Sequence, residues 1–181
     1  IINPLKQPSY SQFGEDVALL RQANFSKPGY YVDVGACFPV RYSNTFLYYV
    51  RGWRGLLIEP NPDLSDRLRR VRPRDTVVPM GISQSGAKLT YRKFDDAEFN
   101  SFSDSQVTGL GEYGLRPAAE LEIQTAPLRD ILAANNVPHD FELLSVDCEG
   151  MDLEVLQSND WEKFRPRWII AEDFQNYQGD I

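Results

Sequence analysis

The sequence predicts an α/β domain: a mostly parallel sheet with helices on both faces. Three observations predict it. Strand-like and helix-like runs alternate along the chain, the signature of a parallel α/β sheet. No internal repeat or low-complexity tract interrupts that order. At 181 residues the chain is one ordinary domain, residues 1–181, large enough to bury a real core.

The elements follow in order. "SQFGEDVALLRQ" is expected to be a helix, with Ser11 as cap, Glu15 and Asp16 at its positive end, and Phe13, Val17 and Leu20 on one face. "YYVDVG", Tyr30 to Gly35, is the first strand. "SNTFLYYV" is a helix capped by Ser43 or Asn44 and stopped near Gly52. "GLLIEP", Gly55 to Pro60, is the second strand. The next helix opens at Asn61-Pro62, a first-turn position that proline tolerates, and turns Leu64, Leu68 and Val71 inward. "TVVPMG" is a third strand, weakened by Pro79.

"KLTYRKF", Lys88 to Phe94, alternates and reads as an antiparallel excursion. A long loop is expected over about residues 95–122, whose aromatics Phe99, Phe102 and Tyr113 can cover a substrate or simply pack. "LRDILAAN" is a helix, "ELLSV" a fourth parallel strand, "DLEVLQ" a helix, and "RWIIAED", Arg167 to Asp173, a fifth strand.

The net charge of −7 argues against a nucleic-acid partner, which selects a basic face. The one basic run, Arg67, Arg69, Arg70, Arg72 and Arg74, reads as a solvated helix face. No apolar run approaches a membrane span, and no signal-peptide pattern opens the chain. Cys37 and Cys148 are too few for a disulfide scaffold and point to a reducing compartment, with cytoplasm as the expected location. No sequence feature fixes an oligomeric state.

Ligands of open α/β sheets sit at the carboxyl ends of the strands. An acid ends four of the five strands: Asp33, Glu59, Asp147 with Glu149, and Glu172-Asp173. Helix capping explains one or two of these; four together point to a site. Gly35 permits close backbone approach, and Glu59, 24 residues later, stands where an acid accepts both ribose hydroxyls. The dinucleotide fingerprint would place further glycines at Cys37 and Val40, and both are missing. A pyrophosphate needs them. S-adenosylmethionine carries a sulfonium in place of phosphate and tolerates their loss.

The stretches "YSQFGEDVALL", "YVDVGA", "RYSNTFLYYVRGWRGLLIEPNP", "PMGIS" and "LLSVDCEGMDLEVL…WEKFRPRWIIAED" resemble the FkbM-type S-adenosylmethionine-dependent methyltransferases, from about Tyr10 to Asp173. The resemblance implies a Rossmann-like class I methyltransferase fold and an O-methyltransferase that acts on a hydroxyl of a carbohydrate or glycosylated metabolite. It implies that Asp33, Gly35 and Ala36 line the methionine half of S-adenosylmethionine. Glu59 and Pro60 hold the ribose, and Ser43 and Asn44 approach from the next helix. Gln12, Glu15 and Asp16 close the pocket from the N-terminal helix, while adenine rests near Gly81 to Ser83. The sequence departs from the pattern in two ways. "ACFPVRYSN" replaces the glycine-rich turn, and the C-terminal hairpin of the complete fold is expected to be missing, which would leave a sheet edge exposed.

A sugar hydroxyl needs a base or a metal before it attacks a methyl group. His139, the only histidine, precedes the fourth strand and lies at the wrong end of the sheet. Two readings remain. In one, Asp147, Glu172 and Asp173 hold Mg²⁺, as in the catechol-type methyltransferases they resemble. In the other, Asp147 or Glu149 is a metal-free base. Two further functions compete. Asp147-Cys-Glu149 and Asp95-Asp96 imitate the acidic motif of metal-dependent glycosyltransferases, and a catalytically inactive binding module is the third class.

Overall fold

A computed structural model describes residues 8–23 and 25–172. Two expectations fall outside them: the metal reading of Asp173 and the fate of the C-terminal hairpin.

Five parallel strands form the main sheet: β1 (Tyr30–Val34), β2 (Arg54–Ile58), β3 (Thr76–Val78), β7 (Leu143–Val146) and β8 (Trp168–Ala171). Their order is β3-β2-β1-β7-β8. The sequence order reverses direction at β1, so the crevice between the ends of β1 and β7 is a switch point, where open sheets bind ligands. This is the Rossmann-like arrangement the sequence predicts.

Both faces of the sheet are covered, and strand parity decides which residue meets which layer. Val32, Val34, Leu56, Ile58, Leu144 and Val146 pack against α5 (Leu128–Ala134) and α6 (Asp152–Gln157). Tyr31, Leu57 and Leu143 pack against α1 (Glu15–Ala23), α2 (Phe46–Val50) and α3 (Pro62–Val71). Among the described residues no helix is long and apolar enough to cross a membrane.

Proline splits the expected third strand. Its missing amide hydrogen ends the ladder at Pro79, and the chain leaves for a second sheet, where β4 (Gly81–Ile82) joins β6 (Ala119–Ala126) and β5 (Lys88–Lys93) in the order β4-β6-β5. The antiparallel excursion expected at Lys88 is therefore a hairpin-like pair, β5 with β6. The segment 95–122 is not a single loop. It holds a 3₁₀ turn at Ala97–Phe99, helix α4 (Asp104–Glu112) and the start of β6. Ser103 caps α4 by accepting from the Gln106 amide, with serine and glutamine at capping-box spacing.

Three smaller expectations are corrected. Helix α1 begins at Glu15, after Gly14 at φ +91°, and Phe13 is exposed instead of sharing its inner face. Val71 is exposed because α3 ends there. Arg72 leaves the solvated arginine row and is fully buried, paired with Asp75 at 2.8 Å.

Candidate functional site

The carboxyl ends of β1, β2, β7 and β8 surround a cavity of about 400 Å³, within the usual range for small-molecule sites. At the end of β1, Gly35 takes φ +77° and its amide donates to the Ile58 carbonyl at 3.0 Å. A Cβ at Gly35 would stand 1.8 Å from the Asp147 carbonyl oxygen, so glycine is required for the ends of β1 and β7 to meet. The chain then turns through Cys37, itself at φ +41°, whose amide donates to Glu59 Oε2 at 2.9 Å.

Glu59 caps β2 from inside the cavity wall. It is 2 % exposed, and Oε1 accepts from the Asn61 amide at 2.7 Å. Burial pushes its carboxyl up to about 7, against the two amide hydrogen bonds that favour the anion. Asn61 in turn caps α3 through the Asp63 amide, with Pro62 in the first turn.

Across the cavity, Asp147, Glu149 and Glu172 each offer an oxygen within 4.8 Å of the others. Burial, then the charges of Glu172 and Glu149, raise the Asp147 pKa, and Asp147 shares a hydrogen bond with Glu172. Burial and the Glu172 charge push Glu149 up to about 8, although its oxygen accepts from Gln106 Nε2 at 3.1 Å. Crowded carboxylates of this kind take up protons more readily than isolated ones, which suits them to share and exchange protons.

A strap formed by residues 94–106 roofs the cavity. It is tied to the loop after β1 by the Arg41–Glu98 ion pair at 2.9 Å, and to the turn after β7 by Ser101 Oγ donating to the Glu149 carbonyl at 2.8 Å. Phe99 and Phe102 line the cavity from this strap, whereas Tyr113 stands exposed away from it. Five carboxylates line the wall: Glu59, Glu98, Asp147, Glu149 and Glu172. Among the described lining residues none is Lys, Arg or His.

The chain matches the Methyltransferase FkbM domain over residues 33–180, the stretch that carries every one of these strand ends. It belongs to the FkbM methyltransferase family. No curated protein and no solved structure matches the chain. The domain is thus a methyltransferase domain with its cavity where the strand order reverses.

Of the residues singled out from the sequence, the fold brings Gln12, Gly35, Glu59, Pro60, Gly81, Asp147, Glu149 and Glu172 to the wall of this FkbM domain's cavity. Seven others stand off it. Asp33 has the parity of Tyr31 and turns into the α1–α3 layer, where it accepts from Thr45 Oγ1. Ala36 packs in that same layer. Asp16 accepts from Ser9, Ser11 and the Tyr10 amide, which folds the N-terminal turn. Glu15 accepts from the Phe13 amide. Ser43 faces Arg72, Asn44 donates to Ser145, and Ser83 bonds Thr125.

His139 is exposed at the amino end of β7, as expected, and Asp95 and Asp96 are exposed outside the cavity wall. Cys37 and Cys148 are free thiols on the wall, and burial pushes both upward in pKa. Sequence reasoning missed Tyr91, Glu98, Asn100 and Gln106 on this wall. The serine–glutamine spacing at Ser103 and Gln106 was the available signal for the strap's end.

Proposed function

We propose that this methyltransferase domain uses S-adenosylmethionine to methylate an oxygen, a hydroxyl of a carbohydrate or glycosylated metabolite. The observation that carries the reading is the wall of five carboxylates, with no basic side chain among the described lining residues. A cationic sulfonium is favoured there, and sugar hydroxyls find acceptors. A nucleotide-sugar diphosphate would meet carboxyl groups and no basic side chain among the described lining residues, and the exposed Asp95-Asp96 pair stands away from the cavity.

The donor set fits the cofactor. Glu59 has lone pairs left over for a ribose diol, beside Gly35, where the backbone comes close. S-adenosylmethionine supplies an electrophilic methyl group. With it bound, the acceptor oxygen would bond the methyl carbon as the carbon–sulfur bond broke, that bond's electron pair leaving with sulfur. The hydroxyl proton would pass to an ionised carboxylate of the acidic group, Asp147 or Glu149.

A second reading draws on the spacing of Asp147, Glu149 and Glu172. These three would hold a divalent metal such as Mg²⁺, which supplies Lewis acidity that eases ionisation of a hydroxyl. Calorimetric titration with S-adenosylhomocysteine, in magnesium and then in chelator, tests both. One-site binding is the expected result, and a magnesium-dependent affinity or rate would favour the second reading. Absence of binding in both conditions would overturn the cofactor assignment.

A further inference from the structure

The loop from Gly35 to Thr45 forms one wall of the cavity without the glycine-rich turn that would ordinarily set its path. It carries two non-glycine residues in the left-handed region, Cys37 at φ +41° and Tyr42 at φ +56°. Such residues persist only where their surroundings hold them. The loop is held at one end by a buried carboxylate and at the other by a buried cation.

Arg72, at the end of α3, has a side chain with no exposure. Its Nε donates to Asp75 at 2.8 Å and its Nη2 to the Tyr31 hydroxyl at 2.8 Å, which fixes the guanidinium in the core. The other donors reach the loop: Nη1 to Ser43 Oγ at 3.2 Å and Nη2 to Thr45 Oγ1 at 2.9 Å. Thr45 Oγ1 donates its own hydrogen bond to Asp33, so one guanidinium serves Asp75 directly and Asp33 through a hydroxyl. Ser43 also accepts from the Phe46 amide, so the same contact fixes the start of α2. At the other end of the loop, Glu59 holds the Cys37 amide. A planar donor fork with five N–H groups is the side chain suited to such a junction; a lysine, with three donors on a single nitrogen, could not make all four contacts.

We infer that Arg72 is a positioning residue for the cofactor: through Ser43 and Thr45 it holds the Gly35–Thr45 wall in its binding path, the task that glycines perform elsewhere. Arg72 touches neither the cavity nor a reacting atom. Its contribution is preorganisation, so its loss is read as weaker cofactor binding, with faster local exchange in the loop. The inference rests on the S-adenosylmethionine reading above, and the test separates the two.

Replacing Arg72 itself strands buried Asp75, and Arg72→Met is expected to cost the fold. The informative pair is Thr45→Val, which keeps shape and removes the hydroxyl, and Thr45→Ser, which keeps the hydroxyl. Calorimetry with S-adenosylhomocysteine and amide hydrogen exchange are run on both and on wild type. The expected result is a rise of about tenfold in Kd for Thr45→Val, with faster exchange confined to residues 36–45 that saturating ligand suppresses. Thr45→Ser should stay near wild type in both. Wild-type affinity and unchanged loop exchange in Thr45→Val would overturn the inference, as would faster exchange spread evenly over the chain. If wild type binds no S-adenosylhomocysteine, the cofactor reading fails. The loop exchange of the two variants then still decides whether the Thr45 hydroxyl, between Arg72 and Asp33, holds this wall.

Discussion

The Cys37 amide donates to Glu59 Oε2 at 2.9 Å, which ties the loop after β1 to the end of β2 in the cavity wall. The other Glu59 oxygen takes the Asn61 amide, at the cap of α3. One carboxylate therefore fixes three elements and still faces the ligand space. It does so without a cation, and for that reason burial dominates its protonation.

Glu59→Gln is the sharper substitution than alanine. Glutamine can accept one of the two amides, but its own NH₂ then faces the second donor. Loss of a hydrogen bond to a charged group costs about 2 kcal/mol, roughly thirtyfold in Kd for S-adenosylhomocysteine. Calorimetry checks the affinity, and a lower melting temperature is expected alongside it. Unchanged affinity would remove Glu59 from the ribose site.

Stability should fall as pH rises. The folded carboxyls of Glu59 and Glu149 are pushed up to about 7 and about 8, from an ordinary value of 4.5. The folded chain therefore keeps protons that the unfolded chain gives up above that ordinary value. The associated stability is fully present below pH 4.5 and is lost as pH passes through 7 and then 8. Asp33, Asp147, Asp152 and Glu172 shift in the same direction. Glu59 alone accounts for about 3 kcal/mol of this slope. Melting temperatures of the ligand-free chain across that range should decline, and Glu149→Gln should flatten the upper part. A midpoint that climbs with pH would contradict the protonated cluster.

Much of this architecture was legible because the parallel strands are short apolar runs ending in acids, bounded by helices with visible starts such as Asn61-Pro62. The second sheet was less so. β6 reads "AELEIQTA", which alternates half-buried Leu121 and Ile123 with exposed Glu120, Glu122 and Gln124, but its first half falls inside the stretch expected to be a loop. Arg72 was unreadable for a different reason. A row of arginines at helical spacing reads as solvated, and only the long-range approach of Tyr31 and Ser43 makes one of them structural. Asp33 shows the limit of reading strand ends as a set. Parity turns it into the α1–α3 layer, two residues short of the wall that Gly35 reaches.

Two glycine substitutions separate backbone constraint from open space. Gly35→Ala pairs a left-handed conformation, worth about 1–2 kcal/mol, with a Cβ placed 1.8 Å from a backbone oxygen that cannot rotate away. Loss of about 3 kcal/mol or more is expected, with S-adenosylhomocysteine binding abolished. Gly109→Ala, inside α4 with nothing within 4 Å of the added carbon, should gain about 0.5–1 kcal/mol. Denaturant midpoints of the two variants check the contrast. Equal effects would mean that the β1–β7 junction is looser than its geometry.

Asp147→Asn is the test of chemistry. Asparagine preserves the shape of the side chain and a polar contact to Glu172, yet it cannot accept the proton of an attacking hydroxyl. With a labelled methyl donor and a panel of sugar acceptors, transfer should fall about 10²–10⁴-fold, while S-adenosylhomocysteine binds as in wild type. Glu149→Gln divides the two readings of the acidic trio. If Asp147 is a metal-free base, Glu149→Gln keeps most of the activity and chelator changes nothing. If the trio of Asp147, Glu149 and Glu172 holds magnesium, both variants lose transfer, and excess magnesium partly restores Glu149→Gln. Near-normal transfer by Asp147→Asn would end both readings and leave the acceptor's proton to solvent.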